Sequence, residues 1–268
     1  MPFIESNKIR FHYALGGAAH GPLVAFQHGL GGDISQPHGV LGESVRLRVL
    51  SFDCRGHGRT QPLGPPERLT FSSFADDLRT VLDALNVDGL TVGGISMGAG
   101  VALNFALRYP ARVRALILCR PAWLDLPGPR NLDILQTMSR WLRQVGPQRT
   151  RELLPADPEF CRIQTVSRDN AASLLRQLER PSLEATIATL ARLPADAPCP
   201  APEGWRAVRV PTLVLVNHLD ALHPVEYGRR LAEGIPGAQL VEITAKERNP
   251  AAHAREAREA IETFVGGL

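Results

Sequence analysis

The stretch from Leu90 to Leu107, LTVGGISMGAGVALNFAL, changes character at its centre. Leu90 to Ile95 is a short apolar run of strand length. Ala99 to Leu107 is an apolar segment of helical length, stopped by Tyr109-Pro110. Between them lies Gly94-Ile95-Ser96-Met97-Gly98, a G-x-S-x-G pentapeptide in the strand-turn-helix setting that gives the pattern meaning. A side chain at so sharp a turn sits in strained backbone, and the flanking glycines let neighbouring chain pass close. The serine oxygen then stands above the sheet near a helix N-terminus, where free N–H groups and peptide dipoles favour developing negative charge. Ser96 is therefore the candidate nucleophile. The bland alternative is a glycine-rich turn that happens to contain a serine.

Outward from this turn, strands and helices alternate. Leu23 to Gln27, Arg48 to Phe52 and Val113 to Cys119 read as strands, and Phe74 to Leu85 as a helix with one apolar face. From Pro121 to Arg209 the alternation stops. Prolines recur, the best helices are Leu132 to Val145 and Ala171 to Leu193, and Ala195 to Gly204 reads as an irregular return. Alternation resumes with a strand at Thr212 to Val216, a helix at Tyr227 to Ile235, a strand at Gln239 to Ile243 and a helix at Ala251 to Phe264. Such order implies a parallel sheet covered on both faces. Residues 1–120 and 210–268 form the expected core, and residues 121–209 an inserted helical cap.

His28-Gly29-Leu30-Gly31-Gly32 follows the first of these strands. Glycines there let a loop approach a ligand closely. Acyl transfer needs two backbone N–H groups facing the oxyanion, and Met97 and Leu30 are the candidates. His28 is expected to shape this loop and to touch substrate, not to act as base.

Taken together, His28 to Gly32, Asp53-Cys54-Arg55-Gly56-His57-Gly58-Arg59-Thr60, the Ser96 pentapeptide, and Pro211 to Val216 followed by Asp220 resemble the α/β-hydrolase family in order and spacing. The resemblance implies a mostly parallel eight-stranded sheet flanked by helices, a helical lid inserted after the sixth strand, and a chain order of serine, acid, histidine.

A serine hydroxyl needs a base within reach, and the base needs an acid to hold its tautomer. Asp220, just past the strand Thr212 to Val216, stands where similar proteins place the acid. Its alternative is to cap the helix beginning near Pro224, and Asp125 is a substitute acid. The base should follow Gln239 to Ile243. Similar proteins carry Gly-His soon after that strand, whereas Lys246-Glu247-Arg248 stand here and His253 comes later. Either the loop brings His253 to Ser96, or His253 is a helix-surface residue and the triad is incomplete. His223, three residues past Asp220, is the reserve candidate for the base or for contact with substrate.

Trp123, Trp141, Leu124, Met138 and Trp205 could line an apolar pocket or simply pack the cap. Arg120, Arg130, Arg140 and Arg143 could meet a substrate carboxylate or stay solvated.

The composition narrows the rest. No run of eighteen apolar residues exists, and the N-terminal segment lacks the apolar stretch of a signal peptide, so a cytoplasmic protein without membrane association is expected. The net charge of +3 comes from scattered arginines with only two lysines, Lys8 and Lys246, so no nucleic-acid partner is expected. Cys54, Cys119, Cys161 and Cys199 form no CxxC pair and no metal-ligand spacing, so neither metal nor cofactor is expected. The expected function is serine hydrolysis of a small carboxylic ester or lactone through Ser96, His253, Asp220 and an acyl-enzyme. Cleavage of a C–C bond or thioester, a cofactor-free lyase or cyclase, and a binding protein without turnover remain open, as does monomer against homodimer.

Overall fold

The computed structural model describes residues 2–199 and 201–268. In chain order the elements begin β1 (Phe3–Ser6), β2 (Ile9–Gly17), β3 (Leu23–Gln27), α1 (Ser35–Leu41), β4 (Arg48–Phe52) and α2 (Phe71–Ala84). The turn quoted above joins β5 (Leu90–Ile95) to α3 (Met97–Arg108), and β6 (Val113–Cys119) follows. Then come α4 (Asp133–Leu153), α5 (Pro158–Val166), α6 (Arg168–Gln177) and α7 (Leu183–Arg192). The chain closes with β7 (Thr212–Val216), α8 (Val225–Gly234), β8 (Gln239–Glu242) and α9 (Pro250–Gly266).

The eight strands form one sheet in the order β1-β2-β4-β3-β5-β6-β7-β8. β1 pairs with β2, and β2 with β4, antiparallel; every other pairing is parallel. Side chains alternate between two cores, as the period of a strand requires. Leu116, Leu118, Val214 and Val216 face α2, α3 and α8, while Ala115, Ile117, Leu213 and Leu215 face α1 and α9. The eight-stranded, mostly parallel sheet flanked by helices is thus as expected.

The details that escaped the sequence reading have local causes. The β1–β2 hairpin carries polar residues at alternate positions, and α1 contains Pro37 and Gly39, which disguise it. The single helix expected from Ala171 to Leu193 is two, because Pro181 interrupts it and Ser182 caps α7 by accepting from Ala185 N–H. α4 runs past Val145 through a kink at Gly146, where φ is 76°, ahead of Pro147.

Cys54, Cys119 and Cys199 are buried free thiols; burial pushes Cys119 up to about 11 and Cys199 up to about 12, so they pack as small apolar residues. Among the described residues no helix is long and apolar enough to cross a membrane. The loops that leave the carboxyl ends of β3, β5, β6, β7 and β8 gather at one edge of the sheet, where α/β folds bind ligands.

Candidate active site

Ser96 occupies the turn between β5 and α3 with φ 55° and ψ −112°. That region is costly for a residue with a Cβ, so the neighbourhood must enforce it. Two hydrogen bonds do so: Ser96 N–H donates to the Cys119 carbonyl at 2.9 Å, and Gly100 N–H donates to the Ser96 carbonyl at 3.2 Å. Close packing adds to them. A Cβ on Gly94 would lie 2.5 Å from the Gly98 carbonyl carbon, and one on Gly98 would collide with the Gln27 carbonyl. The Ser96 side chain makes no capping bond to α3, which leaves its hydroxyl free.

Facing this turn is the loop after β3. His28 braces it: Nδ1–H donates to the Gly29 carbonyl at 2.8 Å, and Nε2 accepts from Cys54 N–H at 3.0 Å. Both ring nitrogens are taken by backbone groups, Gly29 in this loop and Cys54 after β4, and His28 does not line the cavity described next. Gly29 N–H donates to Gln36 Oε1 at 2.6 Å, and the Leu30 carbonyl accepts from Gln177 Nε2 on α6 at 3.0 Å. The N–H groups of Leu30 and Met97 have no hydrogen-bond partner among the described residues.

A cavity of about 90 Å³ lies between Ser96, Leu30, Trp123, Leu135, Arg120 and His223. Asp220 forms its polar backing. Oδ2 accepts from Arg120 Nε at 2.8 Å and Nη2 at 2.5 Å, and Oδ1 accepts from His223 Nδ1–H at 2.8 Å and from His223 N–H at 3.2 Å. Burial alone would raise the Asp220 carboxyl, but the Arg120 guanidinium and His223 outweigh it and hold it well below the usual carboxylate range. An ionised carboxylate accepts only, so the proton of the His223 ring sits on Nδ1. The 3.2 Å approach of Arg120 Nη2 to that nitrogen is then a contact between donors. Nε2 keeps its lone pair and bonds to no described residue. Burial, helped by Arg120 and opposed by Asp220, lowers the His223 pKa and keeps the ring neutral.

His253, the base expected from the sequence, is not joined to this group. Its Nδ1–H donates to the Thr244 carbonyl at 2.9 Å, it does not line the cavity, and burial lowers its pKa. The reason is local: Pro250 begins α9, Asn249 caps it by accepting from Ala252 N–H, and His253 is thereby fixed in the first turn. Lys246 reaches the site instead, and Glu247 beside it braces α6. Lys246 lines the cavity and pairs with Asp169 at 2.9 Å. Glu247 accepts from Asp169 N–H at 2.8 Å and from Ser167 Oγ at 3.1 Å, securing the start of α6.

Trp123 lines the cavity, whereas Trp141 packs on the core away from it. Asp125 accepts from Glu203 N–H at 2.6 Å, outside the cavity. Arg120, for which contact with a substrate carboxylate or a solvated position was expected, has its guanidinium buried and bound to Asp220. The sequence reading did not single out Asn170, whose Oδ1 accepts from Ala221 N–H at 2.7 Å and Leu222 N–H at 3.2 Å, or Gln177. No pattern in the sequence marks either residue. A larger open groove of about 970 Å³ runs along the β1–β2 hairpin, but neither Ser96 nor Asp220 lines it.

The chain is similar to known proteins along most of its length. A carbamate hydrolase by provisional name, RutD of Azorhizobium caulinodans, is 28% identical over 91% of this chain and 89% of its own. The structure superposes on an esterase of Thermogutta terrifontis with a TM-score of 0.71 at 26% identity, covering 96% of this chain and 94% of that one. The enol-lactonase of Burkholderia xenovorans gives 0.72 at 23% identity, over 99% and 97%. Residues 22–248 match the sequence profile of the alpha/beta hydrolase fold. With its sheet order and its serine turn, the chain belongs to the α/β-hydrolase family.

Proposed function

We propose that this α/β hydrolase cleaves a small carboxylic ester or lactone by acyl transfer, with Ser96 as nucleophile, His223 as base and Asp220 as the acid that orients it. The observation that carries this reading is the Asp220–His223 hydrogen bond in the wall of the cavity that Ser96 also lines. It gives the serine a neutral imidazole with a free lone pair on its own side of the sheet. His253 lacks that setting.

In the first step His223 Nε2 takes the Ser96 proton as Oγ bonds to the substrate carbonyl carbon. The Leu30 and Met97 N–H groups receive the oxyanion. Collapse breaks the acyl C–O bond, and the proton on His223 goes to the leaving alcohol. Water then adds to the acyl-enzyme, giving a proton to His223. Collapse returns a proton to Ser96 Oγ and frees the acid. Asp220 stabilises the imidazolium at each stage.

A cavity of about 90 Å³ is well below the roughly 300–1,000 Å³ of sites for drug-sized ligands. The acyl group is therefore short. Residues 121–209 serve as the lid that closes over it. The name of the A. caulinodans relative makes small carbamates the second substrate class to try.

The test is labelling by a fluorophosphonate probe together with turnover of p-nitrophenyl acetate and octanoate. Wild type labels and prefers the acetate; Ser96→Ala does not label and loses at least about a thousandfold in turnover. Wild type that neither labels nor turns over either ester ends the hydrolase reading. Ligand binding without turnover would then be the role left.

A further inference from the structure

The cavity beside Ser96 is unbalanced in charge. Arg120, Arg176 and Lys246 line it, against Asp169 alone. Arg120 is neutralised by Asp220 beneath it at 2.5 Å. Lys246 differs: an ammonium has three donors, and Asp169 at 2.9 Å engages one of them. Arg176 makes no side-chain hydrogen bond among the described residues and stands exposed at the rim. Two cationic groups therefore line the space a substrate would fill, against one carboxylate, which pairs with Lys246.

The N-terminus of α6 is not the source of this character. The Asp169 N–H is bonded to Glu247, and the Asn170 N–H to Ser167 Oγ. Any anion held here meets side chains. Lys246 also stands in the stretch where similar hydrolases carry their Gly-His pair, so an amine side chain occupies the region of an imidazole.

We propose that the substrate carries a free carboxylate a few bonds from the scissile carbonyl, and that Lys246, with Arg176 at the rim, recognises it. The substrate class is a half-ester or a lactone acid of short chain. A carboxylate entering the cavity shares the Lys246 ammonium with Asp169, and its charge offsets the excess of cations. Lys246 is a specificity residue in this scheme and exchanges no proton. The inference rests on the acyl-transfer reading of Ser96, and its test separates the two.

Hydrolysis of monomethyl succinate is compared with that of methyl 4-methylpentanoate, which has the same shape without the charge. Wild type favours the anionic ester, and Lys246→Met lowers the ratio of the two kcat/KM values by about tenfold or more, as loss of a charge-assisted hydrogen bond implies. Lys246→Arg restores most of the ratio. If wild type hydrolyses both esters equally, or Lys246→Met leaves the ratio as it was, the inference is overturned while the hydrolase stands. If neither ester is hydrolysed, titration calorimetry of monomethyl succinate into wild type and Lys246→Met decides. Binding that the substitution abolishes upholds carboxylate recognition without the acyl transfer, and absence of binding to wild type overturns it.

Discussion

The turn after β5 and the loop after β8 leave the same edge of one sheet, yet different forces shape them. Around Ser96 the constraint is backbone against backbone: Gly94 on Gly98, Gly98 on the Gln27 carbonyl, Ser96 N–H on the Cys119 carbonyl. After β8 the constraint is side chain to backbone: Glu256 accepts from Thr244 N–H, His253 Nδ1–H donates to the Thr244 carbonyl, and Glu247 accepts from Asp169 N–H. The first kind tolerates almost no change of residue. The second kind can be rebuilt with other side chains, and a histidine can be lost from such a loop while the fold persists.

Gly98→Ala is the hardest test of the first half of that contrast. The added methyl group meets the Gln27 carbonyl, which is held in the sheet by β3 pairing with β5 and cannot rotate away. We expect a loss of about 4 kcal/mol or more in urea unfolding, among the largest effects of a single methyl group. A loss below about 1 kcal/mol would show the turn to be looser than its contacts imply.

The same contrast explains what the sequence disclosed. Gly94 and Gly98 are legible because no side chain fits so close an approach, and Ser96 because it stands between them at the spacing the turn sets. The alternation of apolar runs disclosed six strands, five of them because burial on both faces leaves a continuous signal; the exposed edge strand β8 was disclosed by its place in the alternation. The link between Asp220 and its partners was not legible. Arg120 lies 100 residues away in the chain and His223 only three, and nothing in either neighbourhood says that the carboxylate meets both. Expecting His253 followed from chain order alone. The helix start at Asn249-Pro250, which puts His253 in the first turn of α9 with its ring bonded to the Thr244 carbonyl, was written in the sequence but was outweighed by that order.

Activity sharpens the comparison further. His223→Ala should lower kcat/KM by about a hundredfold or more, the usual share of a general base, whereas His253→Ala should change it by less than roughly threefold. The pH profile carries a second signature. A base must be neutral to act, and burial lowers the His223 pKa from its ordinary 6.5. Activity therefore rises with pH through a midpoint below 6.5, and the acid limb vanishes in His223→Ala. The opposite ranking of the two variants would return the role to His253.

The smallest effect concerns what the loop after β8 does instead of supplying a base. Glu247 accepts from Asp169 N–H and Ser167 Oγ, so its carboxylate sits against the positive end of α6. Glu247→Ala leaves the Asp169 N–H without its partner, while Ser167 Oγ still accepts from Asn170 N–H. We expect a loss of about 1 kcal/mol, in line with a helix cap, and faster hydrogen exchange at residues 168–172. Labelling of Ser96 by the fluorophosphonate should not fall, because no contact of Glu247 reaches the β5–α3 turn and a loosened α6 admits the probe more readily. Unchanged exchange in α6 would mean that the Asn170 bonds to Ala221 and Leu222 hold this helix by themselves. In that case the loop after β8 would owe its sequence to Lys246 and the charge it brings to the cavity.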